Sequence, residues 1–191
     1  MKKKKINAAI DTETTGLNSQ VNCIIDFAVV ILDDDFNPTG AHFSSHIKPI
    51  HTAGIDPEAM KVNGLDLDIL NNSPTSNQVL QSFCEWKLDL FMDAILVPLG
   101  QNYSFDINFL KVWMDELYNK MFHYKYRDSG IVADFCKDTG LIDLPSVSLG
   151  PLVEYLQLTD EYELHTALDD ARASAAVYRE LVTRAKMYMS R

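Results

Sequence analysis

Three strand-like segments crowd the first fifty residues, with short links between them. Residues 5–11 alternate weakly, and CIIDFAVVILDDD (23–35) is rich in Ile and Val, which suit a pleated, half-buried surface. NPTG (37–40) reads as a turn and AHFSSHIKPI (41–50) as a third strand. Links this short join antiparallel neighbours, so the spacing predicts a meander. The pattern then changes. DPEAMKVNG (56–64) predicts a short helix, with Asp56 as N-cap, Pro57 at the first helical position and Gly64 as the stop. SNQVLQSFCEWKLDLFMD (76–93) predicts an amphipathic helix, AILVPLGQN (94–102) a buried strand and SFDINFLKVWMDELYNKM (104–121) a helix. Weaker helices cover about 130–139 and 148–157, and ALDDARASAAVYRELVTRAKMY (167–188) is a long alanine-rich one. The order β-β-β-α-β-α, followed by helices, predicts an α/β sheet with mixed strand directions.

At 191 residues and 47% hydrophobic, the chain is long enough for one domain with a sizeable core. Its 17 basic and 27 acidic residues give a net charge of −10. That balance does not favour non-specific binding to nucleic acid, so any such contact should be local and metal-assisted. The exception is MKKKK, which reads as a solvated tail over residues 1–5, ahead of a single domain over 6–191. No segment approaches the ~20 apolar residues a membrane span needs, and no apolar stretch follows the lysines as in a signal peptide. No membrane partner is therefore expected. Cys23, Cys84 and Cys136 are odd in number and widely spaced, which suggests neither a disulfide framework nor a zinc site. A reducing cytoplasm is the simplest compartment.

The chemistry concentrates in carboxylates. Asp11 and Glu13 are one residue apart on the first strand and so share a face. Alone, they read either as a strand running out into the polar turn TTGLN or as a pair of hard oxygen ligands for Mg²⁺ or Mn²⁺. On a helix turning about 100° per residue, Asp106 falls among Phe109, Leu110, Trp113 and Leu117, in the middle of the apolar stripe. A carboxylate aimed at the core is costly unless paired or metal-bound. The other reading is a helix-start partner for spare N–H groups, although Ser104 or Asn102 is the better cap. If the first strand neighbours the one before Asp106, three carboxylates converge at the strand ends. In HTALDDA, Asp170 lies about 110° from the centre of the alanine stripe and Asp169 about 150°. Asp170 is the ligand candidate and Asp169 the solvent residue, with dipole partnership as the alternative for both. His165 precedes that helix on a loop, where it can accept a proton near neutral pH. His42 and His46 share a strand face without a Cys or Glu partner and read as exposed.

Together, DTETTGL, NYSFDINFL and HTALDDA resemble the three ordered motifs of the DnaQ-like 3′–5′ exonucleases, in the DEDDh branch that carries a catalytic histidine. IKPIHTAGIDPEAMKVNGL is similar to the family's segment between the first two motifs. The resemblance spans residues 11–170 and implies a ribonuclease-H-like fold: a central mixed five-stranded sheet, its first three strands antiparallel and its first strand beside the fourth, flanked by helices. It implies that Asp11, Glu13, Asp106 and Asp170 hold two divalent ions, Mg²⁺ or Mn²⁺, and that His165 takes the proton of the attacking water. It implies contacts to the terminal nucleotide around Thr12, Thr14, Thr15, Gly16 and Asn102. Leu17 and Val62 would wedge the last base and Phe105 would line the pocket. Thr166 stands where a tyrosine marks the other branch. Relatives often carry His-Asn where this chain has Gln101-Asn102, and Glu where it has Asp26. The implied activity is release of nucleoside 5′-monophosphates from single-stranded DNA 3′ ends, a proofreading type of reaction. Trimming of RNA or of short oligoribonucleotides is the same-class alternative, and an inactive nucleic-acid-binding scaffold the alternative of another class. The acidic balance further suggests short substrates or a protein partner that delivers the end.

Overall fold

The computed structural model describes residues 3–50, 54–162 and 164–190. Residues 1 and 2 of the basic run, and 51–53 of the segment between the first two motifs, lie outside them. Strands β1 (Lys5–Thr14), β2 (Ile24–Leu32) and β3 (Pro38–His46) form the antiparallel meander. β4 (Ile95–Gly100) joins β1 in parallel, and the two-residue β5 (Arg127–Asp128) extends the sheet beyond it. The order β3-β2-β1-β4-β5 is the mixed five-stranded sheet expected, although no local pattern had marked β5.

Several boundaries differ from the sequence reading. β1 begins at Lys5, inside the stretch read as a tail, and runs to Thr14, so Asp11 lies within the strand and not at its end. β2 stops at Leu32 because the Asp33 carboxylate accepts the N–H groups of Asp35 (2.9 Å) and Asn37 (2.8 Å) and turns the chain there. The turn thus falls at 33–37, and Pro38, Thr39 and Gly40 belong to β3. Proline is tolerated because β3 is an edge strand.

The helices are α1 (Pro57–Asn63), α2 (Leu67–Asn71), α3 (Ser76–Phe91), α4 (Ser104–Met114), α5 (Glu116–Met121), α6 (Ser129–Asp138), α7 (Leu149–Tyr155) and α8 (Ala167–Met189). α1 carries the expected caps: the Asp56 carboxylate accepts the Glu58 N–H, and Gly64 closes the helix at φ +64°. The helix expected over 104–121 divides in two because Asp115 adopts φ +49°. α2, capped by Asp66, was not anticipated.

β2 is buried along all nine residues because helices cover both faces of the sheet. On one face Phe27 packs edge-on against Phe83 (5.2 Å between centroids) and Trp113 (5.1 Å), with Ala8 and Ile10 of β1 in the same core. On the other, Ala171 and Ala175 of α8 lie against Ala9, Val30 and Leu99. Small residues let this helix approach the sheet closely, and α6 and α7 pack on its far flank. The strand period of two then carries Asp11 and Glu13 onto the α8 face and Thr12 and Thr14 onto the opposite one.

Candidate active site

The parallel pairing of β1 with β4, from Lys5 opposite Ile95 to Ala9 opposite Leu99, sets the end of β4 beside Asp11. The chains approach so closely that a Cβ on Gly100 would lie 3.0 Å from the Ile10 carbonyl. α4 therefore starts next to the carboxylates of β1, the neighbourhood that the family resemblance implies. α8 begins there too. Its first N–H, on Ala167, donates to the buried Asp26 carboxylate on β2 (3.1 Å), and Asp26 pairs across the ladder with Glu13.

Asp11, Glu13 and Asp170 each offer an oxygen, and all three oxygens lie within 4.8 Å of one another. Asp169 points elsewhere and pairs with Arg172 (3.0 Å), so the choice between the two aspartates agrees with the helical angles. Asp106 is not one of the trio, but it is close enough for its charge to raise Asp11. It is buried, and one of its oxygens accepts the Thr12 hydroxyl (2.7 Å). It occupies the first turn of α4, and the expected caps are not used: Tyr103 is the N-cap residue and makes no side-chain bond. Instead the Asp128 carboxylate accepts the N–H groups of Asn102 (3.1 Å) and Tyr103 (2.9 Å) and also caps α6.

Electrostatics mark the trio as incomplete. Burial first, and then the charges of Asp106, Asp170 and Glu13, hold the Asp11 carboxyl well above the usual range. Burial, Asp170 and Asp26 push Glu13 up to about 8. Burial raises Asp170, partly offset by the His165 N–H and the His165 charge. Asp106 is pushed up to about 7, mainly by burial, with the Thr12 hydroxyl acting against it. Among the described residues no cation and no hydrogen-bond donor lowers Asp11 or Glu13. Three hard oxygen donors with unanswered negative charge fit a divalent cation such as Mg²⁺ or Mn²⁺.

His165 is exposed and sits at φ +83°, a conformation that side-chain-bearing residues seldom adopt. Its N–H donates to Asp170 (3.1 Å), which ties the loop to the trio and leaves the imidazole at the surface. Of the residues expected around a terminal nucleotide, Thr12, Thr14 and Thr15 are buried with their hydroxyls committed to Asp106, to the Gly16 carbonyl and to the Cys23 N–H. Their side chains shape the loop, so only backbone is left to face a ligand there. Gly16 is buried, while Leu17 (82% exposed) and Val62 (60%) project outward. Asn63 donates to the Thr14 carbonyl (2.9 Å) and holds α1, with Val62, against the end of β1. Phe105 is half-buried against Phe109 (4.9 Å between centroids), and Asn102 is exposed at φ +51°.

Three residues matter more than the sequence reading allowed. Asp26, a departure from the family pattern, anchors the start of α8. His46, read as exposed, is half-buried with Nδ1 3.3 Å from Asp26, a charge neighbour without hydrogen-bond alignment. Asp128 opens DSG ahead of an apolar run, an N-cap signal that the sequence carries and α6 uses.

The exonuclease family model (RNase_T) matches residues 8–178. The chain is 31% identical over 173 residues to the DNA polymerase III PolC-type of Thermotoga maritima, a match covering 91% of this chain and 12% of that protein. It is 30% identical over 183 residues to the DNA polymerase III subunit epsilon of Pasteurella multocida, covering 88% of this chain and 65% of that one. It thus spans only part of the length of these relatives. The fold is similar to that of E. coli Exonuclease I in complex with a dT13 oligonucleotide (TM-score 0.77, 18% identity, 98% of this chain and 43% of that one). It is also similar to the nuclease domain of 3′hExo, a DEDDh family member, bound to rAMP (TM-score 0.67, 19% identity, 93% and 92%). The architecture is the ribonuclease-H-like one, and no helix among the described residues is long and apolar enough to cross a membrane. By the match over residues 8–178 and the ordered motifs on this sheet, the chain belongs to the exonuclease family, in its DnaQ-like DEDDh group.

Proposed function

We propose that this chain hydrolyses the terminal phosphodiester of single-stranded DNA from the 3′ end and releases nucleoside 5′-monophosphates. The observation that carries the proposal is the convergence of Asp11, Glu13 and Asp170, with no cation among the described residues to answer Asp11 or Glu13, in a chain that belongs to an exonuclease family. These three, with Asp106 beside them, would hold two divalent ions, Mg²⁺ or Mn²⁺. When bound, the ions supply Lewis acidity toward water and stabilise charge on the attacking and leaving oxygens.

The chain's own residues do the rest. Asp26 and the Ala167 N–H fix α8, and with it Asp170, against Glu13. Thr12 holds the Asp106 carboxylate in one orientation. The His165 imidazole, at the surface beside Asp170, takes the proton of the attacking water, a step worth about 10²–10⁴-fold. Leu17 and Val62 press on the terminal base, and Phe105 borders it. Apolar contact of this kind reads shape and stacking, so little sequence preference follows. Relatives named as DNA polymerase III components support DNA as the substrate and a polymerase-type partner that delivers the end. The rAMP-bound structural neighbour supports RNA as the second reading.

The test is an assay in Mg²⁺ or Mn²⁺ with 5′-labelled single-stranded DNA and RNA of one sequence. The expected product pattern is a ladder receding from the 3′ end, absent in chelator, with DNA degraded faster. Internal cuts, or cleavage indifferent to metal, would overturn the proposal. Faster degradation of RNA would transfer it to the ribonuclease reading.

A further inference from the structure

At one end of the sheet cations gather beside the acidic turn Asp33–Asp35, although the chain as a whole carries −10. Lys5 opens β1 opposite Ile95, and the Lys4 carbonyl accepts the Ile95 N–H (2.8 Å). On the other flank of β4, Leu96 bridges to Phe122, and its carbonyl accepts the His123 N–H (2.7 Å). These pairings bring Lys3, Lys4 and Lys5 toward HYKYR, residues 123–127. From Lys120 to Arg127 the sequence holds three fixed cations and no acid.

Aromatic rings interleave with the charges. Tyr124 is 79% exposed, His123 stacks on it with centroids 4.6 Å apart, and the Lys125 ammonium lies 5.9 Å from its ring centre. The Arg127 guanidinium sits 4.9 Å from the Phe36 ring and donates to Asn7 (3.1 Å). Lys5, Lys125, Tyr126 and Arg127 help frame a cleft of about 530 Å³, in which Asp34 is the one acid among the described lining residues. Among the described residues Lys3, Lys4, Lys5 and Lys125 make no ion pair, so internal pairing does not account for this concentration of charge.

We propose that this basic, aromatic surface binds the body of a single-stranded nucleic acid, upstream of the 3′ end held at the carboxylates. Cations contact phosphates irrespective of sequence, and an exposed flat ring offers every base a stacking platform. An acidic protein segment would use the cations but not the Tyr124 face. The location of the 3′ end rests on the exonuclease reading; the binding chemistry does not. Lys5 and Asp11 are six residues apart on β1, about 20 Å at ~3.3 Å per residue. That is the length of about six stacked nucleotides at ~3.4 Å each, and a path over the surface is longer. Arg127 lies nearer, opposite Leu99 and so level with Ala9, but a tetranucleotide in the active site stops short of the Lys3–Lys5 end of this surface, whereas a 20-mer reaches it.

The experiment uses the full chain and two variants, Tyr124→Ala/Lys125→Glu on one flank and Lys3→Glu/Lys4→Glu on the other. Binding of fluorescein-labelled oligo(dT)₂₀ is followed by anisotropy in chelator, across a salt series, so that no turnover is needed. Each variant should weaken 20-mer binding by about fivefold or more and flatten the salt slope by about 0.7 for each phosphate that its cations no longer neutralise. Hydrolysis of a tetranucleotide in Mn²⁺ should stay within about twofold, which also checks that both variants fold. Equal 20-mer affinity in the wild type and both variants would overturn the proposal, as would wild-type affinity no greater for the 20-mer than for the tetramer. A wild-type chain that binds the 20-mer through this surface but never shortens it would instead sink the exonuclease reading alone.

Discussion

At the scale of single residues, Asp11, Glu13 and Asp170 face one another in a half-buried site that raises all three pKa values. A carboxyl raised in the folded protein binds protons that the unfolded chain has already released. Its contribution to stability is complete below about pH 4 and is lost as pH rises through the folded value, about 7 for Asp106 and about 8 for Glu13. The metal-free protein should therefore melt at a lower temperature at pH 8 than at pH 5.5. Mn²⁺ should restore stability mostly at the higher pH, where the ligands are ionised; parallel thermal melts with chelator or Mn²⁺ measure both effects. Asp11→Asn removes one charge from the cluster. It should raise the melting temperature in chelator and cut kcat by more than the ~100-fold that loss of an outer-shell partner costs. If His165 is the proposed general base, His165→Ala should lower kcat by about 10²–10⁴-fold while leaving the Mn²⁺-induced rise in melting temperature intact, because that role acts on a proton and not on the ion. The carboxylates were legible in the sequence because the strand period and the helical angle fix which way each one points. The buried threonine hydroxyls were not: a Thr next to a carboxylate reads the same whether it faces a ligand or a neighbouring side chain.

At the scale of elements, the site depends on how two helices are hung. α8 meets the sheet through alanines, and its first N–H is held by Asp26 on the neighbouring strand. Asp26→Ala should free the start of α8 and displace Asp170. We expect Mn²⁺ affinity, measured by calorimetric titration, to fall about 10–100-fold, with substantial recovery in Asp26→Glu. The residue went unrecognised because its partner lies 141 positions away in the chain. α4 is hung from Asp128, which caps α6 as well, so one carboxylate fixes the starts of two helices at the sheet's edge. Local signals did find most elements. Where they erred, a short polar residue had more than one use: Asp33 made the hairpin turn, and Asp115 broke a helix whose apolar pattern runs on without interruption.

At the scale of the whole molecule, a net charge of −10 opposes a polyanion, while the cations of Lys3–Lys5 and Lys125 are a local exception. Two regimes of salt dependence follow. Turnover of a tetranucleotide, held at the site, should change little with added salt. Turnover of a 20-mer under subsaturating conditions should fall steeply as phosphate contacts at the distant surface are screened. Rates for both lengths across a NaCl series measure the difference.

The sequence by itself determined the period and polarity of each segment, and therefore which carboxylates lie on buried faces and in what order the motifs come. Those properties depend on neighbours a few positions apart. Only the tertiary structure decided that β4 lies parallel to β1, that Asp26 holds α8, that Asp106 turns to Thr12, and that the N-terminal lysines and HYKYR flank β4 on its two sides. Each of these joins residues far apart in the chain. They are chosen when the sheet and its helices pack together, and no local pattern encodes that choice.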